Sequence, residues 1–460
     1  MHVHILGICG TFMAGVAAIA KAAGHSVTGS DANVYPPMST QLARLGIELT
    51  EGYEPSQLEP APDVVVIGNA LSRGNPAVEA VLDRGLPYTS GAEWLSRHAL
   101  AGQHVIAIAG THGKTTTASM TAWILERAGL EPGFLIGGVP GNFDVTARAG
   151  GGRYFVVEAD EYDTAFFDKR AKFVHYRPKT LVLNNLEFDH ADIYTDMDAI
   201  LWQVHQLLRT VPGSGRVIVG GGSADIERAL DMGCWTPVER FGLSDDYDWH
   251  AAFEDAGQRR FSMSRRGDEA CRGQWQLTGE YNLENALAAC AAAASAGVSL
   301  SDSTAALAEF SGVKRRLERT ATVADVAVYD DFAHHPTAIR RTLKGMKQRH
   351  PGQRLIVALE PRSNTMRLGV HNATLAESLE LADQAVVYCP DEMGSDFAQI
   401  FAGADNISVV ASYDALVDQL AAAAHPGDHV IFMSNGGFGG VRETLTQRLR
   451  APTSVPGAKA

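Results

Sequence analysis

The sequence predicts an α/β protein of three domains. At 460 residues the chain is too long for one ordinary core. Short strand-like apolar runs alternate with helix-like segments throughout, as in parallel sheets covered by helices. The alternation falls into three blocks, 1–98, 99–313 and 314–460.

The first block carries strand signals at 3–8, 26–29 and 64–67, with helical patterns between them. Gly7, Gly10 and Gly15 follow the first strand, and Asp31 ends the second, 24 residues after Gly7. This is close to a dinucleotide-binding fingerprint, but Cys9 stands where the second glycine belongs. The pattern alone leaves two readings open, a ligand loop or close helix–sheet packing.

The second block opens on a buried-strand signal at 105–109. It runs into Gly110-Thr111-His112-Gly113-Lys114-Thr115-Thr116-Thr117 and then a helical pattern over 118–128. Strand, glycine turn and helix in that order cradle a phosphate chain. The glycines admit a close approach, the N–H groups opening the helix donate to oxygens, and Lys114 adds charge. The strict phosphate-loop pattern is not met, because Ile108 takes its first glycine position. Thr115 is placed to ligate Mg²⁺. Two more apolar runs end in acidic clusters, 155–158 before Asp160, Glu161 and Asp163, and 180–185 before Glu187, Asp189, His190 and Asp192. Such strand ends converge beside a phosphate loop, and Glu158 and His190 are the expected metal ligands. Residues 235–275, richer in Arg, Asp and Gly, read as an added antiparallel element or a flexible excursion. Asn282 and Asn285 share one face at the start of an alanine-rich helix. Asn282 reads as its N-cap and Asn285 as an amide able to pair with a purine edge.

The third block has strand signals at 326–329, 355–359, 385–388, 407–410 and 429–433. Adjacent His334 and His335 point to opposite sides of an extended segment, which favours hydrogen bonding at a domain junction over a two-histidine metal site. Arg362 and Arg367 flank a polar loop where an acidic peptide can dock. The Pro- and Ala-rich tail, 451–460, reads as frayed.

A net charge of −14 argues against a broad nucleic-acid surface. Five scattered cysteines without a CxxC pair point to a reducing compartment. No run is apolar enough for a membrane span and no signal core opens the chain, so a cytoplasmic location is expected.

Taken together, Gly110 to Thr115, Glu158-Ala159-Asp160-Glu161, Asn185 through Asp189-His190, and Asn282 through Asn285-Ala286 resemble the successive signatures of the Mur ligase family. The resemblance covers the whole chain. It implies a Rossmann-like UDP-binding domain, a central phosphate-loop ATPase and a C-terminal Rossmann-like domain. Asp330-Asp331-Phe332-Ala333-His334-His335-Pro336 is similar to the branch acting on UDP-N-acetylmuramate. The stretches 7–13, 173–178, 360–366 and 433–440 are more similar to members that add the murein tripeptide L-alanyl-γ-D-glutamyl-meso-diaminopimelate than to those that add L-alanine.

The resemblance implies ATP and Mg²⁺ as cofactors, with an acyl phosphate between them and the product. It places Gly110 to Thr116 on the ATP phosphates, with Lys114 making the key contact. Thr115 and Glu158 are implied for one Mg²⁺ and His190 for a second, Asn285 for adenine, Arg315 or Arg316 for the phosphates, and Asp331 for ribose. Gly10, Thr11, Phe12, Met13, Asp31, Asn69 and Ser72 are implied for the UDP-sugar, and Arg362 and Asn364 for the peptide. One departure stands out. Several relatives carry a carbamylated lysine after the histidine, but residues 194–208 contain no lysine, leaving Gln203 or His205 nearby. A nicotinamide oxidoreductase rests on Gly7 to Gly15 alone and leaves Lys114 and Thr115 unexplained.

Overall fold

The computed structural model describes residues 1–34, 38–362, 364–367, 369–390 and 395–450, so the tail at 451–460 lies outside the described residues. Three sheets follow one another along the chain. The first is five-stranded and parallel, in the order Glu48–Glu51, Ser26–Asp31, His2–Leu6, Val64–Ile67, Tyr88–Ser90. Its strands end at the turn holding Gly7, and Gly68 of the neighbouring turn donates its N–H to Leu6 O at 3.0 Å. The turns carrying Gly10 and Asn69 are thereby set side by side.

The central sheet has ten strands. His104–Ala109 lies in its middle, paired in parallel with Thr180–Leu183 on one side and Tyr154–Glu158 on the other. All three are apolar runs buried on both faces, as parallel strands under two helical layers must be. Their carboxyl ends open at one crevice, the topological switch point at which α/β sheets bind ligands. Within 235–275, Val238–Gly242 continues the sheet in parallel, and Trp249–Phe253, Arg260–Arg265 and Cys271–Gln274 then pair antiparallel at its edge. A small hairpin, Asp163–Ala165 with Asp168–Ala171, follows the first acidic cluster. The sequence reading did not anticipate it.

The helix Lys114–Arg127 begins four residues before the apolar pattern suggests, because Lys114 through Thr117 already form its first turn. It packs against Glu280–Ala294, whose Ala286, Ala289 and Ala293 are fully buried. Small side chains let the two backbones come close, which brings Asn285 to the phosphate turn.

The third sheet has six strands, five of them parallel, with Glu318–Val323 antiparallel at one edge. Its helix Pro336–Arg349 rests on the central domain where the Gly345 and Gly279 backbones meet beside the Thr278 methyl. A Cβ on Gly345 would stand 2.8 Å from Gly279 Cα. Around that contact Lys344 pairs with Glu280 at 2.7 Å, Arg341 with Glu284 at 2.9 Å, and Gln258 bonds Gln348 at 2.5 Å.

Candidate active site

A cavity of about 1030 Å³ occupies the crevice, lined by the 111–116 turn, both acidic strand ends, the start of the Glu280–Ala294 helix and the third domain's 331–335 segment. Gly113 turns the chain at φ +82°, where a Cβ would lie 2.2 Å from Asn285 Oδ1. Glycine is therefore required there for both conformation and space.

Lys114 Nζ donates to Gly110 O at 2.6 Å and to Glu161 Oε2 at 2.9 Å. His190 Nε2 lies 3.1 Å from the other oxygen of Glu161. Burial opposes every charge in this trio. For Lys114 the opposition is outweighed by Glu161, then by Glu158 and Asp160, and its pKa rises. Glu161 is desolvated too, yet Lys114 and His190 hold it down at about 2. His190, also desolvated, is raised by Glu161 and Asp189. Its backbone sits at φ +56°, a conformation that costs about 1–2 kcal/mol outside glycine and is common where function fixes geometry.

Thr115 Oγ1 donates to Glu158 Oε1 at 2.8 Å, and Gly137 N donates to Glu158 Oε2 at 2.6 Å. A hydroxyl and a carboxylate this close are a hard-oxygen pair suited to Mg²⁺. Arg316 of the third domain reaches the same hydroxyl, its Nη2 3.0 Å from Thr115 Oγ1, with its guanidinium over the Phe332 ring at 4.6 Å. Arg315 turns the other way, to Ser434 O at 2.9 Å and to Gly436 O. Of the two arginines, Arg316 is the one that faces the 110–116 turn.

Asn285 Oδ1 accepts from Thr117 Oγ1 at 3.2 Å at the cavity wall. Asn282 is not the N-cap. Gly279 holds that position, and Asn282 Nδ2 donates instead to Thr278 O at 2.8 Å. Glycine supplies the φ of +91° that the chain needs to enter the helix there. Asp331 is buried and accepts from Thr342 Oγ1 at 3.0 Å, and burial raises its pKa against the pull of Arg316. Gln203 accepts from Ala171 N at 3.1 Å, and the buried His205 ring lies between Trp202 and Trp235.

In the N-terminal domain Asp31 Oδ2 accepts from Cys9 N at 2.9 Å, bracing the Gly7–Gly10 turn. Gly10 caps the helix Thr11–Ala22, while Gly15 sits within van der Waals reach of Leu135 and Ala147 of the central domain. Gly15 thus serves close packing against the neighbouring domain, and Gly10 opens the helix. Ser72 is exposed on the adjoining turn. Arg362 lines the cavity beside Asn435, and Asn364 opens the short helix Asn364–Arg367, its side chain outside the described residues.

Four groups escaped the sequence reading. Glu161 was one acid among several, with nothing in the string to show that it bridges Lys114 and His190. Tyr194 donates its hydroxyl to Glu161 O. The Gly220–Gly222 turn forms cavity wall against Tyr247. Lys172 is buried, its Nζ 5.0 Å from the Phe12 ring centre, 5.4 Å from that of Tyr162 and 3.4 Å from Asp160 Oδ1. Its only sequence signal is a single lysine in a polar stretch, which reads as solvated.

Comparison with known families decides the lineage. Residues 2–103 match the Mur ligase family catalytic domain, 108–293 the Mur ligase middle domain and 315–436 the Mur ligase glutamate ligase domain. The chain belongs to the Mur ligase family. It is 50% identical to the UDP-N-acetylmuramate–L-alanyl-γ-D-glutamyl-meso-2,6-diaminoheptandioate ligase of Escherichia coli K12, over 98% of each chain. A murein peptide ligase from Psychrobacter arcticus shares the structure at TM-score 0.76 and 45% identity, over 99% of this chain and all of the other. The UDP-N-acetylmuramate–L-alanine ligase of Burkholderia cenocepacia is 33% identical over 98% of each chain. Mur ligases form amide bonds at the expense of ATP, so the chain is a ligase of peptidoglycan metabolism. Cys9, Cys234, Cys271 and Cys290 are free thiols, and among the described residues no helix is long and apolar enough to cross a membrane.

Proposed function

We propose that this Mur ligase joins the murein tripeptide L-alanyl-γ-D-glutamyl-meso-diaminopimelate to the lactyl carboxylate of UDP-N-acetylmuramate, in the cytoplasm and in the service of peptidoglycan recycling. The observation that carries the reading is the meeting of three domains at one phosphate-binding turn. Lys114 and Thr115 come from the central domain, Arg316 from the third, and Phe12 of the N-terminal loop closes on Lys172 beside them.

ATP lies in the cavity with its phosphates on the Gly110–Thr116 turn and its base toward Asn285. A lactyl carboxylate oxygen attacks the γ-phosphorus while the bond to ADP breaks, giving an acyl phosphate. The tripeptide's free amine then attacks the acyl carbon and phosphate leaves. Lys114 and Arg316 spread positive charge over the transferring group. Thr115 and Glu158 would hold a Mg²⁺ ion, with His190 near a second, and such ions supply further charge compensation. Glu161 fixes Lys114 and His190 relative to one another. Water must be kept from the acyl phosphate, and the domain seam does this: Thr337 Oγ1 bonds Glu187 at 2.7 Å and Thr365 Oγ1 bonds Asp189 at 2.9 Å. Arg362 and Asn364 stand where the incoming peptide's carboxylates would dock.

Phosphate release from ATP, with UDP-N-acetylmuramate plus either tripeptide or free L-alanine, tests the reading. Tripeptide-dependent release with little response to L-alanine is expected; the reverse preference overturns it. Lys114→Ala is expected to abolish product formation.

A further inference from the structure

Beside the phosphate turn, on the third-domain side, lies a cluster of histidines around one carboxylate. His112 belongs to the 110–117 turn, Glu187 follows the strand Thr180–Leu183, and His335 opens the helix Pro336–Arg349 of the third domain. One ligand atom from each lies within 4.8 Å of the others. His112 Nε2 is 3.5 Å and His335 Nδ1 3.7 Å from Glu187 Oε2. The rings of His112 and His335 are 4.7 Å apart between centres, and His371 packs on His335 at 4.4 Å.

Two buried nitrogens in this group, His112 Nε2 and His371 Nε2, have no hydrogen-bond partner. Buried polar atoms are nearly always satisfied, so two such orphans in one histidine cluster need a reason.

We propose that His112, Glu187 and His335 form a binding site for a divalent transition-metal ion of the zinc class that bridges the central and C-terminal domains. Two imidazoles and one carboxylate are a borderline-soft, nitrogen-rich set, which selects zinc-class ions over Mg²⁺. The Thr115–Glu158 pair, all oxygen, has the opposite preference. Metal–nitrogen bonds of about 2.0–2.1 Å require the ligand atoms to draw inward by roughly an ångström, within the reach of side-chain torsions. His335 Nδ1 would exchange its 3.2 Å helix-cap bond from Thr337 N for the metal. Thr337 Oγ1 already orients the Glu187 carboxylate from outside, the usual second tier of support around a metal ligand. All three ligands line the nucleotide cavity, so a fourth coordination position faces its solvent. An ion here pins the phosphate turn to the third domain and holds the two closed.

The test uses the full-length protein in excess Mg²⁺, titrated with Co²⁺ as a chromophoric probe and then with Zn²⁺ as competitor. Visible absorption of a low-coordinate Co²⁺ site at one equivalent per chain, bleached by Zn²⁺, is expected. His335→Asn retains a helix-capping side chain and Glu187→Gln retains an acceptor for Thr337, and circular dichroism checks their folding. Each is expected to weaken Co²⁺ binding by more than the ~10–100-fold expected of Thr337→Val, which removes only outer support. Glu158→Gln should leave Co²⁺ binding unchanged. Zn²⁺ should raise Tm in the wild type and not in His335→Asn. Absence of Co²⁺ absorption, displacement by Mg²⁺, or binding that survives both ligand variants or is lost with Glu158→Gln overturns the site.

Discussion

Glu161→Gln isolates the buried charge cluster. The carboxylate side chain is 10% exposed and serves Lys114 and His190 at once. A carboxyl held at about 2 in the fold, against 4.5 ordinarily, contributes about 3 kcal/mol at neutral pH. Because the folded value is depressed, that contribution is complete above pH 4.5 and drains away as the pH falls through 2. The raised His190 behaves in the opposite sense. Its share is present below pH 6.5 and is lost as the pH rises through its folded value. An amide keeps the shape and loses the charge, so the variant should be less stable by about 3 kcal/mol at pH 7 and at pH 5. The gap should close toward pH 2, where the wild-type carboxyl is itself neutral. Five of the six tryptophans lie between 123 and 275, so urea unfolding followed by fluorescence reports on the domain concerned. A gap that stays constant from pH 6 to pH 3, or one below about 1 kcal/mol at pH 7, refutes the assignment of Glu161 as the hub.

Other outcomes follow from the same geometry. Arg316→Ala should lower kcat about 10³-fold with little change in KM for ATP, read by phosphate release, because its guanidinium acts on the transferring group. Gly113→Ala forces a methyl onto Asn285 and costs about 1–2 kcal/mol of backbone strain besides. ATP affinity should fall at least ~10-fold in a nucleotide titration, and normal affinity would mean that the turn does not hold the phosphates. Lys172→Met should raise KM for UDP-N-acetylmuramate by about 10–100-fold, the loss of one charge-assisted hydrogen bond, while KM for ATP stays put. Equal changes in both would mean a structural role only.

The phosphate turn was readable because its chemistry is contiguous: eight residues carry strand end, glycine, lysine and hydroxyl in order. The ends of neighbouring strands were readable for the same reason, since an apolar run followed by acids is a local signal. What escaped depends on distance through space. Glu161 looks like Asp160 or Asp163 until the fold puts Lys114 on one oxygen and His190 on the other. Lys172 is a lysine in a polar hairpin until Phe12, 160 residues earlier, covers it. Asn282 shows how a local rule is overridden. Asparagine is a favoured N-cap, yet Gly279 takes the position because the chain enters the helix at φ +91°, where a Cβ would also strike the Tyr281 ring. The choice between Arg315 and Arg316 likewise turned on opposite pointing of adjacent residues, which the string leaves open.

That bare contact between Gly345 and Gly279 works as a bearing without a shim. The nearest atoms are Gly279 backbone, with only the Thr278 methyl beside them, so a single methyl on Gly345 becomes a wedge against main chain that cannot swing aside. The two domains would be propped ajar at a point far from any reacting atom. Gly345→Ala therefore offers a dial on how tightly the enzyme shuts, and a means of slowing closure while every group that touches ATP is left as it was.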